Sequence, residues 1–221
     1  MDLKVIPCAR ISGEIAVPAD KSISHRAVML ASLSDGACNI SNLLESDDCL
    51  RTVECFRAMG VLIEKGGTGD YLVRGRGLKG LTVPRDILYV GNSGTSIRLL
   101  LGILAGQDFS AVITGDESIK QRPMKRVVDP LRKMGAVIRG KEDGNFAPIE
   151  IKGGTLSSID YTLPVASAQI KSALMLAALF AKGITKISEP SASRDHTERM
   201  FGYFEIPFSK AGNSIEIASP G

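Results

Sequence analysis

The feature that most constrains the fold of this chain is a pattern that occurs three times along it. Each occurrence has a small or hydroxyl-bearing residue, then a cationic residue, then a long apolar segment that ends at glycine. The three segments are 21–36, 94–106 and 168–183. Their cationic residues, Arg26, Arg98 and Lys171, lie 72 and then 73 residues apart. An even period of this size indicates duplicated supersecondary units.

Each occurrence combines the features of an anion-binding site at a helix start. Free backbone N–H groups, the positive end of the helix dipole and a cationic side chain meet there. Lys21 and Arg26 both lie at the first start, where their charge opposes the dipole unless an anion is bound. Three such sites predict a multiply charged ligand that carries phosphate or carboxylate. The alternative at the first start is an ordinary solvated helix end that Ser22 caps.

Hydrophobic periodicity predicts the same series of elements after each apolar helix. A short strand follows, at 37–41, 111–114 and 184–188. A more amphipathic helix comes next, at 47–59, 123–134 and 195–204. A pair of strands closes each series, at 61–64 and 71–74, 136–139 and 148–152, and 206–208 and 214–217. The chain is therefore predicted to be an α/β (α+β) protein of three βαβαββ modules, with the apolar helices buried inside three outer sheets.

Single residues are expected to set the ends of several elements. Pro123 is predicted at the first position of its helix, where the missing N–H is not needed. Gly60 and Gly135 are predicted to end the second helices of the first two copies in the left-handed conformation. The third copy has Glu205 in this place, and we expect an irregular helix end there.

Composition and charge exclude several classes of function. The 221 residues carry a net charge of only +3, aromatic residues make up 5% and tryptophan is absent, which argues against a nucleic-acid surface. Four cysteines form no C-x-x-C pair and no histidine falls at zinc-ligand spacing, so we expect reduced thiols and no metal. The start of the chain lacks the apolar region of a signal peptide, and the longest apolar stretch, 172–181, is too short for a membrane span. We expect a cytoplasmic protein.

Two further motifs carry cationic residues whose role the residues alone leave open. The turn before Arg98 contains Gly91 and Gly94, which permit close approach of a ligand, but it is neither a P-loop nor a dinucleotide fingerprint. Arg98 itself either contacts the ligand or forms a structural salt bridge. Lys120 and Arg122 lie in a charged loop, which is either solvated or held in place by the proline that follows.

At two more helix starts, the polar residues have either a structural role or a role in binding or catalysis. Ser167 is predicted to cap the third apolar helix, and Gln169 either completes that cap or binds a ligand oxygen. Ser193 precedes another helix. His196 follows Asp195, which suits a surface pair or a catalytic pair, although no serine nucleophile is placed beside them.

Taken together, these motifs resemble the N-terminal half of the EPSP synthase (enolpyruvylshikimate phosphate synthase) family, and the resemblance runs through all 221 residues. Its most specific elements are Lys-Ser-Ile-Ser-His-Arg at 21–26, Gly-Asn-Ser-Gly-Thr-Ser-Ile-Arg at 91–98 and Lys-Gln-Arg-Pro at 120–123. Ser-Ala-Gln at 167–169 and Ser-Arg-Asp-His-Thr at 193–197 resemble the branch found in many bacteria other than the enteric type.

The resemblance implies an activity and a set of site residues. The family transfers the enolpyruvyl group of phosphoenolpyruvate to the 5-hydroxyl of shikimate 3-phosphate through a tetrahedral ketal phosphate, with release of phosphate and without metal or organic cofactor. The residues implied for shikimate 3-phosphate are Lys21, Ser22, Arg26, Ser167, Ala168 and Gln169, with Ser193 and Arg194 close by. Those implied for phosphoenolpyruvate are Lys21, Gly94, Arg122 and Gln169, and Lys21 is the implied catalytic residue.

The resemblance also implies a division into domains. The family has a second domain of similar size, which supplies a proton acceptor and further cations, and its first strands belong to that domain. The strands predicted around 3–6 and 14–17 are therefore assigned to it as residues 1–18. Residues 19–221 form the substrate domain, in repeats of about 19–90, 91–163 and 164–221. A chain with this domain alone is expected to bind anionic substrates, to have the missing domain as partner, and to turn over nothing.

Three other classes of protein have features in common with this chain. The UDP-N-acetylglucosamine enolpyruvyl transferases share the fold and the donor, but they lack the Lys-Ser-x-Ser-x-Arg motif and have a reactive cysteine loop that is not found here. RNA-end cyclases use similar modules, which the low charge and few aromatic residues disfavour. A non-catalytic module that binds a phosphorylated ligand is the remaining alternative. One residue departs from the family pattern: Ala19 replaces a glycine and is expected to affect the reach of Lys21.

Overall fold

A computed structural model describes residues 3–4, 6–15 and 17–219 of the chain. The helices are α1 (Lys21–Leu33), α2 (Asp47–Ala58), α3 (Gly94–Ala105), α4 (Glu117–Lys120), α5 (Lys125–Lys133), α6 (Lys141–Gly144), α7 (Ala168–Ala178) and α8 (His196–Tyr203). The strands are β1 (Asp35–Ile40), β2 (Leu62–Lys65), β3 (Tyr71–Arg76), β4 (Leu88–Tyr89), β5 (Ser110–Thr114), β6 (Val137–Gly140), β7 (Phe146–Lys152), β8 (Leu156–Ser157), β9 (Asp160–Thr162), β10 (Ala181–Lys182), β11 (Ile184–Ser188), β12 (Ser209–Ala211) and β13 (Ser214–Ala218).

Three sheets repeat one topology. The second sheet has the order β4-β5-β7-β6 and the third has β9-β11-β13-β12, and in both a parallel first strand is followed by two antiparallel neighbours. The first sheet, β1-β3-β2, has the antiparallel strands only. A separate parallel pair joins β8 to β10. The predicted βαβαββ module is confirmed for the second and third units, and the first unit lacks its opening strand within the described residues.

The first helix of each unit, α1, α3 or α7, lies in the core. Nearly every side chain of α3 and α7 is buried, which explains why their sequences are apolar on all sides rather than along one stripe. Gly102 permits α3 to pack closely on α7, because a Cβ there would lie 2.2 Å from the carbonyl oxygen of Ala173. The second helix of each unit, α2, α5 or α8, buries only one face. None of the helices within residues 17–219 has the length and hydropathy that a membrane span requires.

The second helices end in the same way in all three units. Gly60, Gly135 and Glu205 have φ angles of 86°, 107° and 55°. The following residue in each case donates its N–H to a carbonyl five residues earlier, at 3.0, 3.1 and 2.8 Å. This is the Schellman arrangement, which satisfies carbonyls that the helix leaves free. The irregular end expected in the third unit is therefore wrong: Glu205 takes the left-handed conformation without being glycine.

Several predicted boundaries are also wrong. The helix predicted at 123–134 begins at Lys125, because the N–H of Met124 donates to the carbonyl of Asn145 at 2.8 Å and Pro123 lies outside the helix. The apolar helix predicted to reach Gly183 ends at Ala178, because the chain turns into β10. In the last predicted hairpin, the first strand lies at β12 (Ser209–Ala211) and not at 206–208.

The opening segment forms no strand in the residues that the structure describes. At the predicted strands 3–6 and 14–17, the described residues have no regular secondary structure and are exposed, and Leu3 and Ile15 are 90% and 84% exposed. Val5 and Ala16, which belong to those predictions, lie outside the described residues. A strand needs a neighbour for its backbone hydrogen bonds, and no neighbouring strand pairs with the described part of this segment.

Candidate anion-binding site

The start of α1 carries Lys21 and Ser22. The Asp20 carboxylate caps the helix by accepting a hydrogen bond from the N–H of Ile23 at 2.8 Å, so the prediction that Ser22 is the cap is wrong. The cap lies two residues earlier than predicted, and this places Ser22 in the first turn of the helix. Lys21 Nζ donates to Asp48 Oδ2 at 2.8 Å, and about half of the Lys21 side chain remains exposed. Its ammonium group is therefore held in place and still accessible.

Arg26 connects the starts of three helices. Only 4% of the residue is exposed. Its Nε donates to Thr197 Oγ1 on α8 at 2.7 Å, one terminal nitrogen donates to Ser172 Oγ on α7 at 2.7 Å, and the other donates to the carbonyl of Ser22 at 2.8 Å. Burial, and then repulsion from Arg194, lower the pKa of Arg26 to about 10, so the group stays cationic at neutral pH. Arg26 thus brings a buried positive charge to this end of the domain.

The turn before α3 gathers two guanidinium groups around Gly94. Ser93 caps α3 through a hydrogen bond from the N–H of Ser96 at 3.1 Å. A Cβ on Gly94 would lie 2.9 Å from a terminal nitrogen of Arg98 and 3.1 Å from one of Arg122. Burial lowers the pKa of Arg98, and so do the nearby charges of Arg122 and Arg126. No carboxylate forms an ion pair with Arg98 or Arg122 in the part of the chain that the structure describes, so the salt-bridge alternative for Arg98 is wrong.

Arg122 is held at this turn by neutral groups. It donates to the Asn92 side-chain oxygen, and also to Ser118 Oγ at 3.1 Å. Asn92 in turn donates to Asp116 at 2.9 Å, and Asp116 caps α4. The charged loop that contains Lys120 and Arg122 is therefore an ordered turn, in which Arg122 donates to an amide and a hydroxyl oxygen.

The start of α7 is joined to α3 by Gln169. Ser167 caps α7, as predicted, by accepting from the N–H of Ile170 at 3.4 Å. Gln169 does not complete that cap. Its side-chain nitrogen donates to Thr95 Oγ1 at 3.1 Å, and its oxygen accepts from Arg98 at 2.9 Å. Ala168 is the first residue of the helix and leaves the adjacent backbone N–H groups unobstructed by a long side chain.

Lys171, the cationic residue of the third copy, is not available to a ligand. Its side chain is 1% exposed, and Nζ donates to Glu189 Oε1 at 2.7 Å and lies 2.7 Å from Glu198 Oε1. The prediction that it supplies the charge of a third anion site is therefore wrong. The two carboxylates come from a loop and from α8, which the spacing of the repeat does not reveal.

The loop before α8 supplies a different cation to this end of the domain. Ser193 Oγ donates to Glu189 Oε2 at 2.5 Å, which fixes the loop, and Arg194 is exposed beside it. Arg194 is close enough to Arg26 to lower its pKa. The expected pair of His196 with Asp195 is wrong: Asp195 accepts from Arg199 at 3.0 Å, and the nearest carboxylate to His196 is that of Asp20, at 3.9 Å.

The structure brings most of the predicted residues together. Hydrogen bonds of Arg26 join α1, α7 and α8, and those of Gln169 join α7 and α3. The predicted residues at these helix starts are Lys21, Ser22, Arg26, Gly94, Arg122, Ser167, Ala168, Gln169, Ser193 and Arg194. The motifs did not reveal a buried polar cluster beneath them, formed by His25, Thr52, Ser93 and Ser96. Their spacing gave no signal, because serine and threonine are common at helix starts.

These features define an α/β domain of three repeated units, with cationic helix starts gathered at one end. The sequence model of the family described as EPSP synthase (3-phosphoshikimate 1-carboxyvinyltransferase) matches residues 5–220. The chain belongs to the EPSP synthase family.

Individual relatives agree with this assignment. The chain is 55% identical over 219 residues to a 3-phosphoshikimate 1-carboxyvinyltransferase of Desulforudis audaxviator, which covers 99% of this chain and 51% of the relative. It is 52% identical over 208 residues to a protein of the same name from Bacillus subtilis, with 94% and 48% covered. A solved EPSP synthase from Acinetobacter baumannii is similar with a TM-score of 0.91 and 45% identity, over 95% of this chain and 47% of that chain. The chain spans about half the length of the curated relatives it matches.

Proposed function

We propose that this chain is the shikimate 3-phosphate-binding half of an enolpyruvyl transferase that makes enolpyruvylshikimate 3-phosphate in the synthesis of aromatic compounds. Its helix starts bind shikimate 3-phosphate and one side of phosphoenolpyruvate. A second half of similar size provides the remaining groups, and the similarity to relatives about twice as long supports this. Residues 19–221 form the substrate domain, and the exposed apolar side chains of the opening segment support its assignment to the second domain.

The observation that carries the proposal is a grouping of like charges that form no ion pair with a carboxylate among the described residues. Arg26 lies near Arg194, and Arg98 lies near Arg122, at helix starts whose dipoles are already positive. Clustered guanidinium groups in partly buried positions repel one another, and anions remove that repulsion. The described carboxylates nearby have other partners: Asp48 binds Lys21, Asp20 and Asp116 cap α1 and α4, and two glutamates enclose Lys171.

The two clusters suit two different anions. Arg194, Ser193, Ser167 and the first N–H groups of α7 are assigned to the phosphate of shikimate 3-phosphate, with the buried charge of Arg26 behind them. Arg122, together with the backbone at Gly94, is assigned to phosphoenolpyruvate.

Lys21 and Gln169 are assigned to both ligands. Lys21 is the exposed ammonium group at the α1 start, and Gln169 joins the starts of α7 and α3. Cations placed in advance hold two mutually repelling substrates at reacting distance and stabilise the charge of the tetrahedral intermediate. The proton transfers are assigned to the second half, so the chain alone is expected to bind without turnover.

A calorimetric titration of the chain with shikimate 3-phosphate tests the assignment. The wild-type chain should release or absorb heat on binding, and Lys21→Ala should bind roughly 10- to 100-fold more weakly because a charge-assisted contact is lost. Lys182→Ala is the matched control, since Lys182 is exposed on β10 beyond the opposite end of α7. Absence of binding by the wild type, or equal losses in both variants, would refute the site.

A second pair of measurements separates the proposal from its alternatives. The chain alone should release no phosphate from phosphoenolpyruvate, and addition of a C-terminal half from a relative should restore release. A non-catalytic binding module would gain no activity, and a transferase of the UDP-N-acetylglucosamine type would bind that nucleotide sugar in place of shikimate 3-phosphate. The four free cysteines support a reducing, cytoplasmic location for the protein.

A further inference from the structure

Beneath the cationic helix starts lies a set of four buried polar side chains that are joined by hydrogen bonds. His25 is fully buried; its Nδ1 lies 2.8 Å from Thr52 Oγ1 and its Nε2 lies 3.4 Å from Ser93 Oγ. Thr52 Oγ1 lies 2.7 Å from Ser96 Oγ, and Ser96 Oγ donates to Ser93 Oγ at 2.7 Å. The four groups therefore form a ring that joins α1, α2 and the cap of α3.

The direction of the hydrogen bonds around this ring follows from the helix cap. Ser93 Oγ already accepts from the N–H of Ser96 and from its hydroxyl, so its own proton is free to donate to His25 Nε2. Nδ1 of His25 then carries the ring proton and donates to Thr52. Thr52 donates to Ser96 at 2.7 Å in preference to the carbonyl of Asp48, which is farther away at 3.4 Å. Each of the four groups donates once and accepts once within the ring, and this arrangement requires neutral His25 in the Nδ1–H form.

We infer that His25 is a positioning residue, which sets the separation and orientation of the two helix starts that hold the substrates. The inference rests on the proposed function: α1 carries Lys21 and Ser22, and the cap of α3 precedes Gly94. Because the ring ties the backbone of both starts to α2, movement of either one breaks a buried hydrogen bond. The ring thus keeps the two anion sites at one distance before any substrate arrives.

Burial of the ring favours the neutral imidazole, and charges of both signs surround it. Asp20 and Asp48 face it, and so do Lys21 and Arg26. Burial is the largest effect and lowers the pKa of His25 to about 4, the cations lower it further, and the carboxylates oppose them. A protonated ring would have two donors and would leave Ser93 with no acceptor for its proton, so the ring would open.

Nuclear magnetic resonance of the ¹⁵N-labelled chain tests the ring directly. At neutral pH the His25 Nδ1 signal should be that of a protonated nitrogen and the Nε2 signal that of an unprotonated one. His196→Gln assigns the signals, since the chain has only two histidines. An Nε2–H or doubly protonated His25 would overturn the inference, whether or not the chain binds shikimate 3-phosphate.

A matched pair of variants at Thr52 tests the positioning role. Thr52→Val keeps the shape and removes the hydroxyl, and Thr52→Ser keeps the hydroxyl. Residual dipolar couplings of the Ser22 and Gly94 amides should change in Thr52→Val and stay as in wild type in Thr52→Ser. Couplings that are unchanged in Thr52→Val would overturn the inference even if no ligand bound.

Titration of the same variants, well below their melting temperatures, gives the functional readout. Affinity for shikimate 3-phosphate should fall roughly fivefold in Thr52→Val, which corresponds to the loss of one buried hydrogen bond. The affinity of Thr52→Ser should equal that of the wild type. Wild-type binding with no loss in Thr52→Val would refute the positioning role alone. Absence of wild-type binding would refute the proposed function. The His25 tautomer and the dipolar couplings would then test whether the hydrogen-bonded ring positions the two helix starts.

Discussion

Replacing Lys171 by methionine should destabilise the protein more than any exposed charge change. The Lys171 ammonium group lies 2.7 Å from carboxylate oxygens of both Glu189 and Glu198, and all three side chains are at least 95% buried. Methionine has a similar volume and can occupy the same space, so little cavity is created. The variant therefore removes the cation between two desolvated carboxylates with little change in packing, and Glu198 keeps only the partly exposed Lys210, at 3.7 Å.

The magnitude follows from that burial. Removal of one partner from a buried ion pair costs about 3–5 kcal/mol, because the remaining charge is left without compensation. For a chain of 221 residues, a loss of this size corresponds to a melting temperature roughly 6–20 °C lower. The Lys186–Glu216 pair, at 3.9 Å and more than 40% exposed on both sides, provides the control. Lys186→Met should cost less than about 1 kcal/mol.

Urea unfolding at equilibrium, followed by circular dichroism, measures both variants against the wild type. Adding Glu189→Gln and Glu198→Gln to Lys171→Met should recover much of the loss, because the orphaned charges are then gone. If Lys171→Met costs no more than Lys186→Met, the group is solvated in solution and the reasoning from burial fails. If the triple variant recovers nothing, lost packing rather than uncompensated charge explains the effect.

Three further predictions concern single residues. Burial lowers the pKa of His25 from 6.5 to about 4. Between about pH 6.5 and 4, His25 is therefore protonated in the unfolded chain but not in the folded chain. The unfolding free energy of the wild type should fall by roughly 3 kcal/mol more than that of His25→Gln between pH 7 and 4. Parallel pH profiles of unfolding would contradict this. Glu205→Gly should raise the unfolding free energy by roughly 0.5–1 kcal/mol by relieving a left-handed residue, and Gly135→Ala should lower it by a similar amount; thermal melts that shift in the same direction would disprove it. Arg122→Ala should weaken phosphoenolpyruvate binding about tenfold in the presence of shikimate 3-phosphate, with less than about 0.5 kcal/mol lost in stability, and calorimetry with matched melts checks both.

Much of the fold could be predicted because the signals are local. The apolar run from Gly94 to Ala105 forms a buried helix, and β11 matches the predicted strand at 184–188. The left-handed ends at Gly60 and Gly135 were also predictable, since glycine is the residue that adopts this conformation without strain. Glu205 shows the limit of that rule, because the repeated packing holds it in the same conformation at the cost of some strain.

The candidate site was predictable as a set of residues but not as a set of contacts. The family motifs indicated Lys21, Arg122 and Gln169 together, and the structure brings their helix starts to one end of the domain. That Gln169 bridges to α3 depends on how α3 and α7 pack, because its partners Thr95 and Arg98 are more than 70 residues away. Such contacts have no local signal in the chain.

The sequence by itself determined the three repeated units, the burial of their first helices and the presence of cations at their helix starts. These depend on hydrophobic periodicity and on residues within one helical turn of each other, which act in the same way wherever the unit lies. Only the tertiary structure decided which cations remain available. Lys171 is neutralised by Glu189 and Glu198, and Arg26 is bound by Thr197, 171 residues away. Charges pair over short distances in space, and those distances are set when the units pack together.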